Sequence, residues 1–105
     1  MMEQSVKEEG KTIAIIAYIT LIGLLIAFFM NNDKKNEFAK FHIGQSLRIS
    51  ILGLANSVLA AFLPASIAIV STIISLAVLV LWILGLVNAI NLKAKPVPVI
   101  GTIGG

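Results

Sequence analysis

Polar and apolar positions along this chain segregate into long blocks. Charged residues occupy three short stretches, 3–11, 33–48 and 93–95, and the blocks between them, 12–32 and 49–92, hold none. Within the first block, residues 12–30 form an uncharged run of about 28 Å as a helix, which matches the hydrocarbon thickness of a bilayer. The run is too long for a signal peptide and no small-x-small cleavage site precedes Asn31, so a retained span is expected. Asn31, Asn32 and Asp33 make a turn signal, because asparagine tolerates the left-handed conformation that ends a helix and Asn or Asp caps the next one. Residues 49–63 are uncharged but cover only about 22 Å as a helix. The pattern therefore predicts one continuous helix over 36–63, its first turns at headgroup level with Lys40 and Arg48 reaching outward. Pro64 ends that helix and Ser66 can cap a third over 66–92, the uncharged link between them making a tight hairpin at the membrane surface. Pro96 and Pro98 stop any helix in the tail, and the glycines from Gly101 onward predict a flexible end. The expected fold class is an all-α integral membrane protein with three transmembrane helices, 12–30, 36–63 and 66–92, in a single membrane domain over 1–105. The second helix is preceded by an interfacial amphipathic segment.

Composition strengthens this reading. Hydrophobic residues make up 58% of the chain and charged ones 12%, with a mean hydropathy of +1.00, whereas a soluble domain is about a quarter charged. A globule of 105 residues that buried the whole second block would have no surface left for water, so lipid is the simpler solvent. Cysteine is absent, which removes disulfides, thiolate metal sites and thiol catalysis. The net charge of +3 does not point to nucleic acid, because the lysines sit at the ends of apolar segments and are not interleaved with aromatics; they suit anionic headgroups instead. Three spans put Lys34, Lys35, Lys40, Arg48, Lys93 and Lys95 on one side and Lys7 and Lys11 on the other. The positive-inside rule then predicts an outside N-terminus and an inside C-terminus in a bacterial cytoplasmic membrane.

In lipid, helices pack through small and weakly polar residues. The second helix carries Ala39, His42, Ser46, Ser50, Gly53, Ser57 and Ala60 at spacings of three and four, which keeps them within about 80° of one face. Ser46, Ser50, Gly53 and Ser57 are the expected helix-packing residues, with Thr20, Gly23 and Ala27 answering from the first helix and Ala68, Ser71 and Ser75 from the third. Asn56 in the second helix and Asn88 and Asn91 in the third are suited to hydrogen-bond between helices, and Trp82, in mid-segment, to packing. Phe38, Phe41, His42, Gln45 and Arg48 gather two aromatics, a titratable ring, an amide and a guanidinium at the bilayer edge, and form the candidate interaction surface. His42 is either a proton relay or a hydrogen-bonded interfacial histidine, the second being the expected role. No enzyme is indicated. No carboxylate lies in a span, one histidine cannot build a metal site, and no serine has a histidine and acid beside it. No cofactor is expected.

Three passages resemble a family of small bacterial three-helix membrane proteins similar to the Tic-twenty import component of the chloroplast inner envelope. They are residues 13–20, which open the first span, residues 38–47 with the pattern Phe38-x-x-Phe41-His42-x-x-Gln45-Ser46-Leu47, and Asn88-Ala89 together with residues 96–101. The family pattern often has a basic residue before the glutamine, where this chain has Gly44, and Arg48 follows one turn on. The resemblance implies a membrane protein with a role around protein translocation. The function expected is a non-enzymatic membrane component, an accessory or scaffold subunit. Its partners would be membrane lipid and other membrane proteins or further copies of itself, with no nucleic acid and no small-molecule substrate. The alternative is a small oligomeric transporter or holin-like pore, although a proton-coupled multidrug transporter would need a carboxylate in its first helix and residues 12–30 have none.

Overall fold

The computed structural model describes residues 2–103. Among them the chain forms four α-helices: α1 (Gln4–Ile16), α2 (Leu21–Lys34), α3 (Glu37–Phe62) and α4 (Ala68–Ile90), with a short 3-10 turn at Ala65–Ile67. Two helices are long and apolar enough to cross a membrane: Glu37–Phe62, with a mean hydropathy of 1.2, and Ala65–Ile90, with 2.8. Pro64 breaks the chain between them as expected. Ser66, however, lies inside the 3-10 turn, and α4 begins at Ala68 with no side-chain cap.

The expected first span is not one helix. It divides at residues 17–20, and the two halves fold back on each other. Asn36 Nδ2 donates to the Val6 carbonyl at 2.9 Å, and Ser46 Oγ donates to the Ala17 carbonyl. α1 therefore runs alongside α3 in the same direction over about ten residues, and α2 returns antiparallel to both. Each helix of this first hairpin is only about 20 Å long, against about 39 Å for α3. The hairpin tip stops halfway along α3, where Thr20 and Leu21 border a cleft with Ser50, Gly53, Val78 and Trp82. Three full spans are thus corrected to one long helical pair and one half-length hairpin.

Local chemistry explains both turns of the hairpin. Thr20, with extended backbone, caps α2 by accepting from Gly23 N–H at 3.0 Å. Gly23 lets the two helices close, since a Cβ there would lie 2.4 Å from the Ile16 carbonyl oxygen. The second turn comes later than the Asn31–Asp33 signal indicated, because α2 continues through Lys34 and Lys35 alone adopts the left-handed conformation, at φ 50. Asn31 stays helical and buried, and its side-chain amide exchanges two hydrogen bonds with the Asn36 backbone. Asn36 in turn caps α3 at Ala39 N–H.

The molecule measures 50 × 23 × 22 Å and is unevenly packed. At one end α1, α2, α4 and the tail surround the first half of α3, burying Phe38, Ala39, His42, Gln45, Ser46 and Ile49. The segment expected to be interfacial and amphipathic is therefore the centre of the packed end. At the other end only the α3–α4 hairpin continues, joined by Asn56, whose amide donates to Ser75 Oγ at 2.8 Å and accepts from Ser71 Oγ at 3.1 Å. The residues that carry charge belong to the packed half, while Leu54, Val58, Phe62, Ile69, Ile73 and Leu76 expose apolar side chains on the hairpin. The N-terminal helix and the 33–36 turn meet at one end, and Lys7, Lys93 and Lys95 border the same cleft. The expected placement of Lys7 on one side and of Lys93 and Lys95 on the other is not seen, since all three border this one cleft.

Candidate functional site

α3 projects a row of polar side chains into the packed end, and every one of them is engaged. The His42 ring is fully buried, with Phe38, Phe41 and Tyr18 meeting it edge-on at centroid distances of 4.7, 5.1 and 5.5 Å. Its Nε2 lies 2.8 Å from the Lys93 carbonyl, which can only accept, so Nε2 carries a proton. Its Nδ1 lies 2.7 Å from the Tyr18 hydroxyl, which donates to the neutral ring. Both nitrogens are thus occupied, and the ring is hydrogen-bonded at the centre of the packed end.

The break between α1 and α2 belongs to the same cluster. Ending α1 inside the packed end leaves carbonyls without helical partners, a costly state away from water. Ser46 Oγ donates to the Ala17 carbonyl, and Trp82 Nε1 donates to that of Tyr18. Trp82, expected only to pack, supplies one of the two donors that make the break tolerable. Opposite it Gly85 presses its backbone against the Tyr18 ring, for a Cβ there would lie 2.5 Å from Tyr18 Cε1. In the sequence Tyr18 stands out only as a member of the passage 13–20, and Gly85 carries no signal. A tyrosine in mid-span, two residues before the capping residue Thr20, is not a strong signal by itself.

The C-terminal tail covers the remaining polar row. Gln45 Nε2 donates to the Gly101 carbonyl at 2.9 Å while its Oε1 accepts from Val97 N–H at 2.9 Å. Arg48 Nε donates to the Ile103 carbonyl at 2.6 Å, and Asn88 Nδ2 reaches the Lys95 carbonyl at 3.2 Å. The end expected to be flexible is docked as far as Ile103, and Gly104 and Gly105 lie outside the described residues. Of the candidate interaction surface, Phe38, His42 and Gln45 are buried beneath the helices and tail, while Phe41 and Arg48 keep partial exposure. The structure brings the five residues together, but it turns them inward onto the chain's own backbone.

The packing stripe is similarly graded. Ser46 is buried, Ser50 and Gly53 are half-buried, and Ser57 is exposed, bonding back to the Gly53 carbonyl of its own helix. Gly53 has room, the nearest atom to an added Cβ being Val78 Cγ1 at 3.7 Å. Only the first part of the expected stripe is therefore a tight contact, because α1 and α2 do not extend past it. Among the described residues no buried side-chain nitrogen or oxygen lacks a hydrogen-bond partner. Comparison with protein-family models, with curated proteins and with solved structures returned no match.

Proposed function

We propose that this chain is a membrane-embedded, non-enzymatic component that acts by contact. In this reading the α3–α4 hairpin crosses the bilayer and the α1–α2 hairpin enters it from one side only, to about half depth. The observation that carries it is the segregation of charge to the packed end, against a broad apolar surface on α2 and on the α3–α4 hairpin. A free-standing soluble fold would leave that surface in water at a large cost. The satisfied carbonyls at residues 17 and 18 also support partial insertion, since irregular backbone is tolerated at membrane depth only where protein covers it. With Lys and Arg concentrated at the packed end, the positive-inside rule favours the cytoplasmic side of a bacterial inner membrane for Lys7, Lys34, Lys35, Lys93 and Lys95. The contact role is that of an accessory or scaffold subunit, and the resemblance to the Tic-twenty-like family connects it with protein translocation.

Single cysteines in this cysteine-free chain test the arrangement. Gln4→Cys, Asp33→Cys and Lys95→Cys should react with an impermeant maleimide from the cytoplasmic face only, and Ala65→Cys from the other face only. Opposite-sided labelling at Gln4→Cys and Asp33→Cys would mean that the first hairpin is a full span, and the proposal would fail. Crosslinking in native membranes from Lys95→Cys should capture a membrane-protein partner, and capture of lipid alone would remove the scaffold role.

A further inference from the structure

We infer that the α3 surface beneath the tail is a polypeptide-binding groove, and that the chain's own residues 93–103 are its displaceable occupant. The ligand class is an apolar turn in another membrane polypeptide, with a buried aliphatic residue followed four positions later by glycine. The inference rests on the reading that the chain acts by contact, and it names what is contacted.

Three features of the tail carry it. First, the contacts run from α3 side chains to tail backbone. His42 donates to the Lys93 carbonyl, Gln45 bonds both Val97 N–H and the Gly101 carbonyl, and Arg48 donates to the Ile103 carbonyl. Backbone groups are common to every polypeptide, so these bonds recognise a chain path and not a particular sequence. Second, only two tail positions are fully enclosed, with Ala94 and Ile100 packing in part against the core. Val97 is 3% exposed, while Val99 between them is 87% exposed. At Gly101 a Cβ would lie 2.4 Å from the Val97 carbonyl oxygen and 2.7 Å from Gln45 Oε1, so only glycine fits where the Gln45 amide closes the turn. Third, the tail is held under strain. Val99 adopts left-handed backbone, at φ 70, a region that β-branched side chains avoid. A ligand with glycine at the Val99 position would fit the groove without that cost.

A segment tethered next to its own site competes at an effective concentration in the millimolar range, so the tail must be weakened before a ligand in trans can be seen. The probe is a fluorescent peptide with the sequence of residues 93–103, added to the full-length protein in detergent micelles. The Val97→Gly protein should bind it about tenfold more tightly than the wild-type protein, since the tail forfeits its one buried side chain. Combining Val97→Gly with Gln45→Ala should abolish binding. The peptide carrying Gly101→Ala should fail to bind, whereas the peptide carrying Val99→Gly should bind at least as well as its parent. Equal affinity of the Val97→Gly and wild-type proteins, or of the parent and Gly101→Ala peptides, overturns the proposal. Should Val97→Gly lose its helical signal, a spin label at Thr102→Cys in the otherwise native chain replaces it. Millimolar parent peptide must mobilise that label and the Gly101→Ala peptide must not, and an unmoved label with the parent peptide rejects the groove. Topology labelling is independent of these measurements, so failure of the groove and failure of the membrane reading are separable.

Discussion

Gly85→Ala is the sharpest test of how the first hairpin seats on α4. The added methyl would lie 2.5 Å from Tyr18 Cε1 and 2.8 Å from its Cζ and hydroxyl, about 1 Å inside ordinary carbon contact. The ring cannot yield easily. Tyr18 is 1% exposed, its hydroxyl is bonded to His42, and its carbonyl accepts from Trp82. Overpacking of this kind costs about 1–3 kcal/mol, and displacing the hydroxyl from His42 forfeits a further ~1 kcal/mol. Replacing glycine by alanine within a helix returns about 1 kcal/mol, which leaves a net loss of roughly 1–3 kcal/mol from these three terms. Gly53→Ala is the matched control, because its methyl would meet only Val78 Cγ1 at 3.7 Å and should be neutral or stabilising by up to ~1 kcal/mol. Trp82 is the sole tryptophan and touches Tyr18 directly, so its fluorescence reports unfolding in detergent from within the site. If Gly85→Ala proves as stable as Gly53→Ala, the Tyr18 ring does not lie against α4, and the half-length hairpin is wrongly placed.

Other substitutions probe the same cluster. Tyr18→Phe should cost about 1–3 kcal/mol in the same unfolding assay, because His42 Nδ1 loses its donor in a buried setting. Ser46→Ala should cost a similar ~1–3 kcal/mol by stranding the Ala17 carbonyl, while Ser57→Ala, exposed and bonded within its own helix, should change stability by under ~0.5 kcal/mol. Asn36→Ala removes both the cap on Ala39 and the tie to Val6. It should cost about 2 kcal/mol and speed amide exchange in α1, which hydrogen exchange would resolve residue by residue.

The long blocks of apolar residues, the helix over 36–63, the break at Pro64 and the return helix, which ends at Ile90 and not at Leu92, were legible because each is a local matter. Their helices satisfy their own backbones, and proline acts on its own turn. Asn56 was legible for the same reason, a lone amide on an apolar face needing a partner from the next helix. The row from Phe38 to Arg48 stood out by composition, but its direction did not. The break at residues 17–20 carries no glycine or proline to announce it. Its carbonyls are satisfied by Ser46 and Trp82, 29 and 64 positions along the chain. The tail likewise looked loose by its prolines and glycines, and is docked because Gln45 and Arg48, 52 to 56 positions away, supply the bonds it cannot make itself. Hydropathy states how much of a segment must leave water. Which distant donor meets an orphaned carbonyl, and so whether a span can stop halfway, is decided only when the helices pack.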